Sequence, residues 1–347
     1  MTVTMTPFGA RKGASAMLLR LRAGAMEAAV TTYGARLVEL WVPDRSGGSA
    51  DVVLGFEDLA TYRGARGSLG ATVGRVANRI AGASFELDGV QFQLAANESP
   101  NHLHGGAVGF EACNWEVADV DSGDGTARVR FDLVSPDGDE GYPGRMVAGV
   151  TYELLDHGQL RITMTASTDA PTLVNLAHHT YWNLAGHAAG SVVDHLVEVA
   201  ADAYTPVDAE QLPTGEVAPV AGSAYDLRSL VRLADRFAML DHGGGYDHNW
   251  VLRGARGTLH PAATVIEPAS GRRLRLETTE PGLQVYTARH MNGGPGGKGG
   301  ARYARFAGIA LETQTFPDAP NHPTFPSARL DPGERYEHRM VCSFDTV

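Results

Sequence analysis

Short runs with a period of two, each closed by turn-forming residues, dominate this chain. Ala127–Val134 (ARVRFDLV) alternates apolar and polar positions, as do Val150–Leu154, Leu160–Ala166 and Leu196–Ala200. Leu283–Thr287 and Phe306–Thr315 carry β-branched and aromatic residues, and Tyr336–Phe344 (YEHRMVCSF) reads as a last strand. Successive side chains in a strand point to opposite faces, so each run has one face to bury and needs neighbours to bury it. Runs of this kind, separated by clusters of Gly, Pro, Asp and Asn, predict an all-β sandwich or barrel. Between Ser84–Leu87 and Val90–Leu94, Asp88-Gly89 predicts a hairpin, because Gly accepts the positive φ of a type I′ turn. Helical spacing is confined to Leu227–Leu240 and to a short stretch starting near Asp58. No linker, composition break or fixed-period repeat appears, so residues 1–347 are expected to form one large β domain with a few short helices.

Composition removes several function classes. A net charge of -11 argues against nucleic acid, whose phosphates need a basic face. No run is long and apolar enough for a membrane span, and no stretch near the start combines a basic region, an apolar core and a small-residue cleavage site. With only two cysteines, Cys113 and Cys342, far apart in sequence, free thiols in a reducing, cytoplasmic setting are expected. The sequon Asn97-Glu98-Ser99 is then a chance match. Gly293–Gly300 (GGPGGKGG) lacks the Ser or Thr a phosphate-binding loop requires after its Lys, and reads as a flexible surface loop. Neither a G-x-S-x-G elbow nor a dinucleotide-binding G-x-G-x-x-G after a strand occurs.

Chemistry concentrates between Gly74 and Gly106. GRVANRI supplies Arg75, Asn78 and Arg79, and NHLHGG supplies His102 and His104 against Gly105 and Gly106. Arg and Asn donate in fixed geometry, Gly lets backbone approach closely, and His moves protons near neutral pH. Further polar clusters sit in or beside strands: NLAHHTYWNL (Asn175–Leu184), YDHNW (Tyr246–Trp250), PGLQVYT (Pro281–Thr287) and LETQTFP (Leu311–Pro317). Glu312 stands out. It follows the apolar run Gly308–Ala310, where a carboxylate is either paired structurally or placed to act as a base. Taken singly, each residue has an ordinary reading: Asp247 as a turn residue, Gln284 as a solvated strand position, Arg79 as a salt-bridge partner, Trp182 and Trp250 as core. A metal is a further alternative. In a strand, His102 and His104 face one side and reach one ion together with His178, His179 or Glu312. The usual zinc spacings are missing, and no metal or other cofactor is expected.

In order along the chain, these motifs resemble the aldose 1-epimerase family, the galactose mutarotases. The resemblance also takes in Tyr33-Gly34-Ala35, Val53-Leu54-Gly55-Phe56, Gly141-Tyr142-Pro143-Gly144 and Leu330-x-Pro332-Gly333-Glu334. It implies a large antiparallel β-sandwich, the supersandwich, and interconversion of the α and β anomers of free aldohexoses such as galactose and glucose. Glu312 matches the general base at the anomeric hydroxyl, His179 the acid at the ring oxygen, and His104 the second essential histidine. Asn78, Arg79, Asp247 and Gln284 match the residues that hold sugar hydroxyls. One departure is His178, where the family commonly has Asn; no role is assigned to it. The resemblance implies a small sugar as the partner, a monomer or homodimer, and no nucleic acid or membrane. With ordinary pKa values of about 4.3 and 6.5, Glu312 is expected ionised and His179 protonated between them, the carboxylate helping to keep His179 charged.

Overall fold

The computed structural model describes residues 1–11, 14–65, 67–240 and 244–347. Three open antiparallel sheets form the body, so the choice between sandwich and barrel falls to the sandwich. Five strands (Thr2–Arg11, Ala14–Ala23, Met26–Thr31, Arg36–Pro43 and Ser49–Asp51) pair in chain order as a meander. A nine-stranded sheet is built around Thr126–Ser135, Met146–Leu155, Gln159–Thr168 and the last strand, Tyr336–Thr346, which enters between Gln159–Thr168 and Arg272–Thr278. A six-stranded sheet runs Tyr181–Trp182, Ile309–Gln314, Gly282–Tyr286, Asp247–Leu252, Ala201–Thr205 and Ala218–Pro219.

Alternation explains how they stack. One face of the nine-stranded sheet, with Phe131, Val150, Ile162 and Met164, meets Leu19, Leu21 and Val30 of the five-stranded sheet and Trp250, Leu283, Val285 and Leu311 of the six-stranded one, all in a single apolar cluster. Each such side chain contributes about 1.5–3 kcal/mol by leaving water. The hairpin forms where the turn residues place it: Ser84–Leu87 pairs with Val90–Gln93, with Asp88 at φ 52° and Gly89 at φ 77°.

Two regions differ from the sequence reading. The helical spacing at Leu227–Leu240 yields a strand, Val231–Arg232, followed by a helix of only Leu233–Phe237. Val231 pairs with Val197 at the edge of the large sheet, and that pairing overrides the local helical pattern. The other short helix, Leu59–Gly64, is where it was expected, with the Asp58 side chain accepting the Thr61 N–H at 2.8 Å. The glycine-rich loop is also tied down at one end. Lys298 is buried and donates from Nζ to Asp51 Oδ2 at 2.5 Å and to the Val38 and Val53 carbonyls. A buried ammonium of this kind needs all three partners to offset its lost hydration.

Ile309–Gln314 is buried along its whole length. Ile309 and Leu311 enter the core, so Ala310 and Glu312 point the other way. On that second face the short strand Ala177–His179 packs against Ile309–Gln314, itself paired with Ala71–Val73. His102–Leu103 pairs with Arg79–Ile80 nearby. This face of the six-stranded sheet carries the site.

Candidate active site

Register aligns the polar side chains. Gln284 lies opposite Glu312, and Asn249 opposite Gln284. Asp247 and Asn249 share a face, as do Gln284 and Tyr286, while Leu283, Val285 and Trp250 fill the core behind them. Gln284 Nε2 donates to Asp247 Oδ1 at 2.8 Å. Alternation that buries one face therefore lines up an acidic and amide row on the other.

His179 comes in from its own strand. Its Nε2 lies 3.5 Å from Glu312 Oε1, and its ring stacks on Tyr181 with centroids 4.9 Å apart. His104 meets His179 edge-on at 5.3 Å. The His104 loop is set by two reciprocal bonds with Asn78: the His104 N–H donates to the Asn78 carbonyl at 3.0 Å, and the Asn78 N–H donates to His104 Nδ1 at 3.1 Å. Because Nδ1 accepts, the neutral His104 ring carries its proton on Nε2. His104 sits at φ 51°, and Gly105 follows at φ 88° with its backbone against Gly74; a Cβ there would lie 1.7 Å from the Gly74 carbonyl oxygen. The paired glycines thus bring the chain against itself to present His104. Arg79 is held by Glu98 in a bidentate pair at 2.6 and 2.9 Å, so the salt-bridge reading and a place in the cavity wall hold together.

A cavity of about 200 Å³ is lined by Asn78, Arg79, His104, His179, Asp247 and Glu312, together with Ser68, Leu103, Tyr181, Tyr286 and His290. Gln284 is not in that wall; it stands behind Asp247. Glu312 Oε2 and Gln284 Oε1 are buried without a hydrogen-bond partner, among the rare groups of this kind that a folded chain retains.

Burial governs the electrostatics. It pushes the Glu312 carboxyl well above its usual range, and the charge of Asp247 adds to the effect, against Arg79. Burial likewise lowers His179 to about 4 and His104 well below 6.5, the latter also by proximity to His179. Both shifts favour the neutral forms, opposite in direction to the charged Glu312–His179 pair expected from ordinary pKa values.

Three residues named with the site lie elsewhere. Arg75 is buried and donates to Ser135 Oγ and to the Ser135, Pro136 and Pro143 carbonyls. His102 faces away from His104: its Nδ1 contacts the Ala95 carbonyl at 2.7 Å and its Nε2 the Tyr142 hydroxyl at 2.8 Å. The strand ends at Leu103, and the positive φ of His104 breaks the shared-face geometry. His178 points opposite to His179, between the Tyr152 and Thr180 hydroxyls, and burial lowers it to about 3. Tyr181 and Tyr286, not singled out from the sequence, were within reach of period two, each lying two residues past a named site position. Ser68 and His290, in irregular segments, carry no such signal.

A carboxyl and two imidazoles on the wall of one small polar cavity make an arrangement suited to proton transfer on a small polar ligand. The sequence model of the aldose 1-epimerase family matches residues 17–343. The chain is 43% identical to a galactose mutarotase of Homo sapiens over 348 residues, covering 100% of this chain and 99% of the relative. To an aldose 1-epimerase of Escherichia coli K12 it is 36% identical, covering 98% of each. A crystal structure of galactose 1-epimerase from Lactobacillus acidophilus superimposes with a TM-score of 0.86 at 28% identity, over 99% of both chains. The chain belongs to the aldose 1-epimerase family.

Proposed function

We propose that this protein interconverts the α and β anomers of free aldohexoses, galactose and glucose among them, with Glu312 and His179 as the proton-transfer pair. The family activity is anomer interconversion of aldoses. The observation that carries the residue assignment is a buried carboxyl and a buried imidazole 3.5 Å apart on the wall of one small cavity.

A bound sugar offers donors to the unpartnered Glu312 oxygen and an acceptor to His179, which favours the charge-separated form of the pair. Glu312 then takes the proton of the C1 hydroxyl while His179 gives one to the ring oxygen. The C1–O5 bond breaks, and C1 becomes an aldehyde. Both protein groups end neutral, the state that burial favours, so desolvation assists ring opening. Rotation about C1–C2 presents the other face of the aldehyde. In closure the C5 hydroxyl oxygen bonds to C1 and passes its proton to His179, and Glu312 returns one to the carbonyl oxygen. His104, with its proton on Nε2, serves as a hydrogen-bond donor in the same cavity. Asn78, Arg79 and Asp247 bind ring hydroxyls, and Gln284 orients Asp247.

We read residues 1–347 as one domain, because the site draws on strands from Ala71 to Gln314. The free Cys113 and Cys342 support a reducing, cytoplasmic setting; no helix among the described residues is long and apolar enough to cross a membrane. A monomer or homodimer is in keeping with a cavity walled by one chain.

A metal reading has one observation in its favour: ligand atoms of His104, His179 and Glu312 lie within 4.8 Å of one another. Polarimetry on fresh α-D-galactose and α-D-glucose, with and without chelator, separates the two. Faster decay to the equilibrium rotation that survives chelator is the expected result. Loss of activity in chelator, restored by a divalent cation, selects the metal reading, and no acceleration of either sugar overturns the proposal.

A further inference from the structure

The catalytic cavity is open on one side. Gly67, Tyr181, Tyr286 and His290 line it and also line an adjoining chamber of about 490 Å³. The chamber continues over Phe56, Leu69, Met291, Pro295 and Tyr303, and no Lys, Arg, Asp or Glu lines it among the described residues. Its aromatic rings are fixed by bonds at their hydroxyls: Tyr303 donates to the Gly55 carbonyl at 3.0 Å, and Tyr286 accepts the His290 N–H at 3.2 Å. A cavity of about 200 Å³ lies below the roughly 300–1,000 Å³ typical of small-molecule sites, and the two spaces together lie well inside that range.

The chemistry says which end of a sugar faces this opening. If Glu312 serves the C1 hydroxyl and His179 the ring oxygen, the atom beyond that oxygen is C5, carrying C6. Tyr181 stacks on His179 on the way into the chamber. The ring hydroxyls are taken up by the polar wall of Asn78, Arg79 and Asp247. We infer that the chamber is a subsite for an uncharged, largely apolar substituent on C6 of the aldose, and that the enzyme epimerises C6-extended aldoses as well as the parent sugar. This rests on the anomer-interconversion reading. A C6 phosphate fits it poorly, since among the described residues of the lining a dianion meets no cation to offset its lost hydration.

Gly294 provides the test. It lines the chamber, a Cβ there would touch nothing within 4 Å, and its φ is not in the left-handed region, so the backbone accepts a side chain in Gly294→Trp, placed to take up chamber space. Polarimetry is run on D-galactose, 6-O-benzyl-D-galactose, 3-O-benzyl-D-galactose and D-galactose 6-phosphate. Wild type is expected to turn over the 6-O-benzyl sugar with kcat/KM at least equal to that for galactose. The 3-O-benzyl sugar and the 6-phosphate should fall at least roughly tenfold lower, and Gly294→Trp should lose roughly tenfold or more on the 6-O-benzyl sugar alone, the size of a lost apolar contact. Galactose turned over while the 6-O-benzyl sugar is not overturns the subsite and leaves the anomerase reading standing. Equal rates for the 3-O- and 6-O-benzyl sugars, or a Gly294→Trp enzyme that loses both galactose and 6-O-benzyl activity alike or neither, also overturns it. No acceleration of galactose by wild type brings down both.

Discussion

If Glu312 and His179 share one proton as the proposed transfer pair, removing either group should cost about as much as removing both. Their contact of 3.5 Å is far inside the roughly 7–10 Å beyond which substitutions act independently. In the proposed mechanism each group supplies one half of a concerted transfer, commonly worth about 10²–10⁴-fold in rate. Independent action would multiply the two losses to about 10⁴–10⁸-fold in the double variant. A shared proton gives instead a Glu312→Gln/His179→Asn enzyme within roughly tenfold of the worse single variant, because the second substitution removes a partner already idle. Stability should move little, by about 1 kcal/mol or less for Glu312→Gln. Burial favours the neutral carboxyl, and an amide is close to it in shape and polarity. The assay is the decay of optical rotation of α-D-galactose above the spontaneous rate, with urea unfolding run beside it on all four proteins. Near wild-type turnover in either single variant refutes the assignment, and a multiplicative loss in the double variant refutes the shared proton.

Three further outcomes follow from the same contacts. The pH profile of kcat/KM should show an acid limb near 4, where the pair takes a second proton on His179, and an alkaline limb at the raised pKa of Glu312, where its only proton is lost; an acid limb near the ordinary histidine value of about 6.5 would contradict the burial argument. Glu98→Ala frees Arg79 from its bidentate partner, and since Glu98 is 40% exposed the effect should be a KM raised by up to about fivefold with kcat held, read from initial rates across sugar concentration; a fall in kcat alone would place Arg79 outside substrate binding. Lys298→Met leaves the buried Asp51 carboxyl, which burial already pushes up, without its partner, which should lower unfolding free energy by up to about 3–5 kcal/mol in urea titrations. An unchanged midpoint there would mean that Asp51 is neutral in the native protein.

The strands were legible because their information is local. Leu160–Ala166 and Ala127–Val134 declare by alternation which face is buried, and Asp88-Gly89 declares its turn by the φ it needs. Glu312 was legible for a related reason, a carboxylate closing an apolar run that the structure buries on both faces. What failed locally was decided by partners far away in sequence. The helix over Leu227–Leu240 gives way to Val231 because an edge of the large sheet, at Val197, was there to pair with. Lys298 looked like part of a loose glycine loop, and its anchor, Asp51, lies near the other end of the chain. His102 looked like a companion of His104, and one positive φ separates them. The pKa values were the least legible quantity, since they depend on exclusion of water by residues as distant as Asn78 and Tyr286.

Exclusion of water is also what ties the fold to the chemistry. A solvated Glu312 would be a stable carboxylate at neutral pH and a weak base, and a solvated His179 would lose its proton to water rather than to a ring oxygen. The six-stranded sheet prevents both by committing one face of Gly282–Tyr286 and Ile309–Gln314 to the apolar core and covering the other with the His179 strand and the His104 loop. Burial then favours the neutral forms of the pair, and a buried Glu312 oxygen finds no partner among the described residues. In the proposed mechanism a sugar hydroxyl brings the missing hydrogen bond and so favours charge separation, which makes substrate binding and activation of the base one event. For this reason a ligand that fills the cavity without a C1 hydroxyl donor, such as a methyl galactoside, should bind more weakly than galactose; a methyl galactoside that inhibits with an affinity equal to that of galactose would show that the buried Glu312 oxygen does not depend on the C1 hydroxyl for its hydrogen bond.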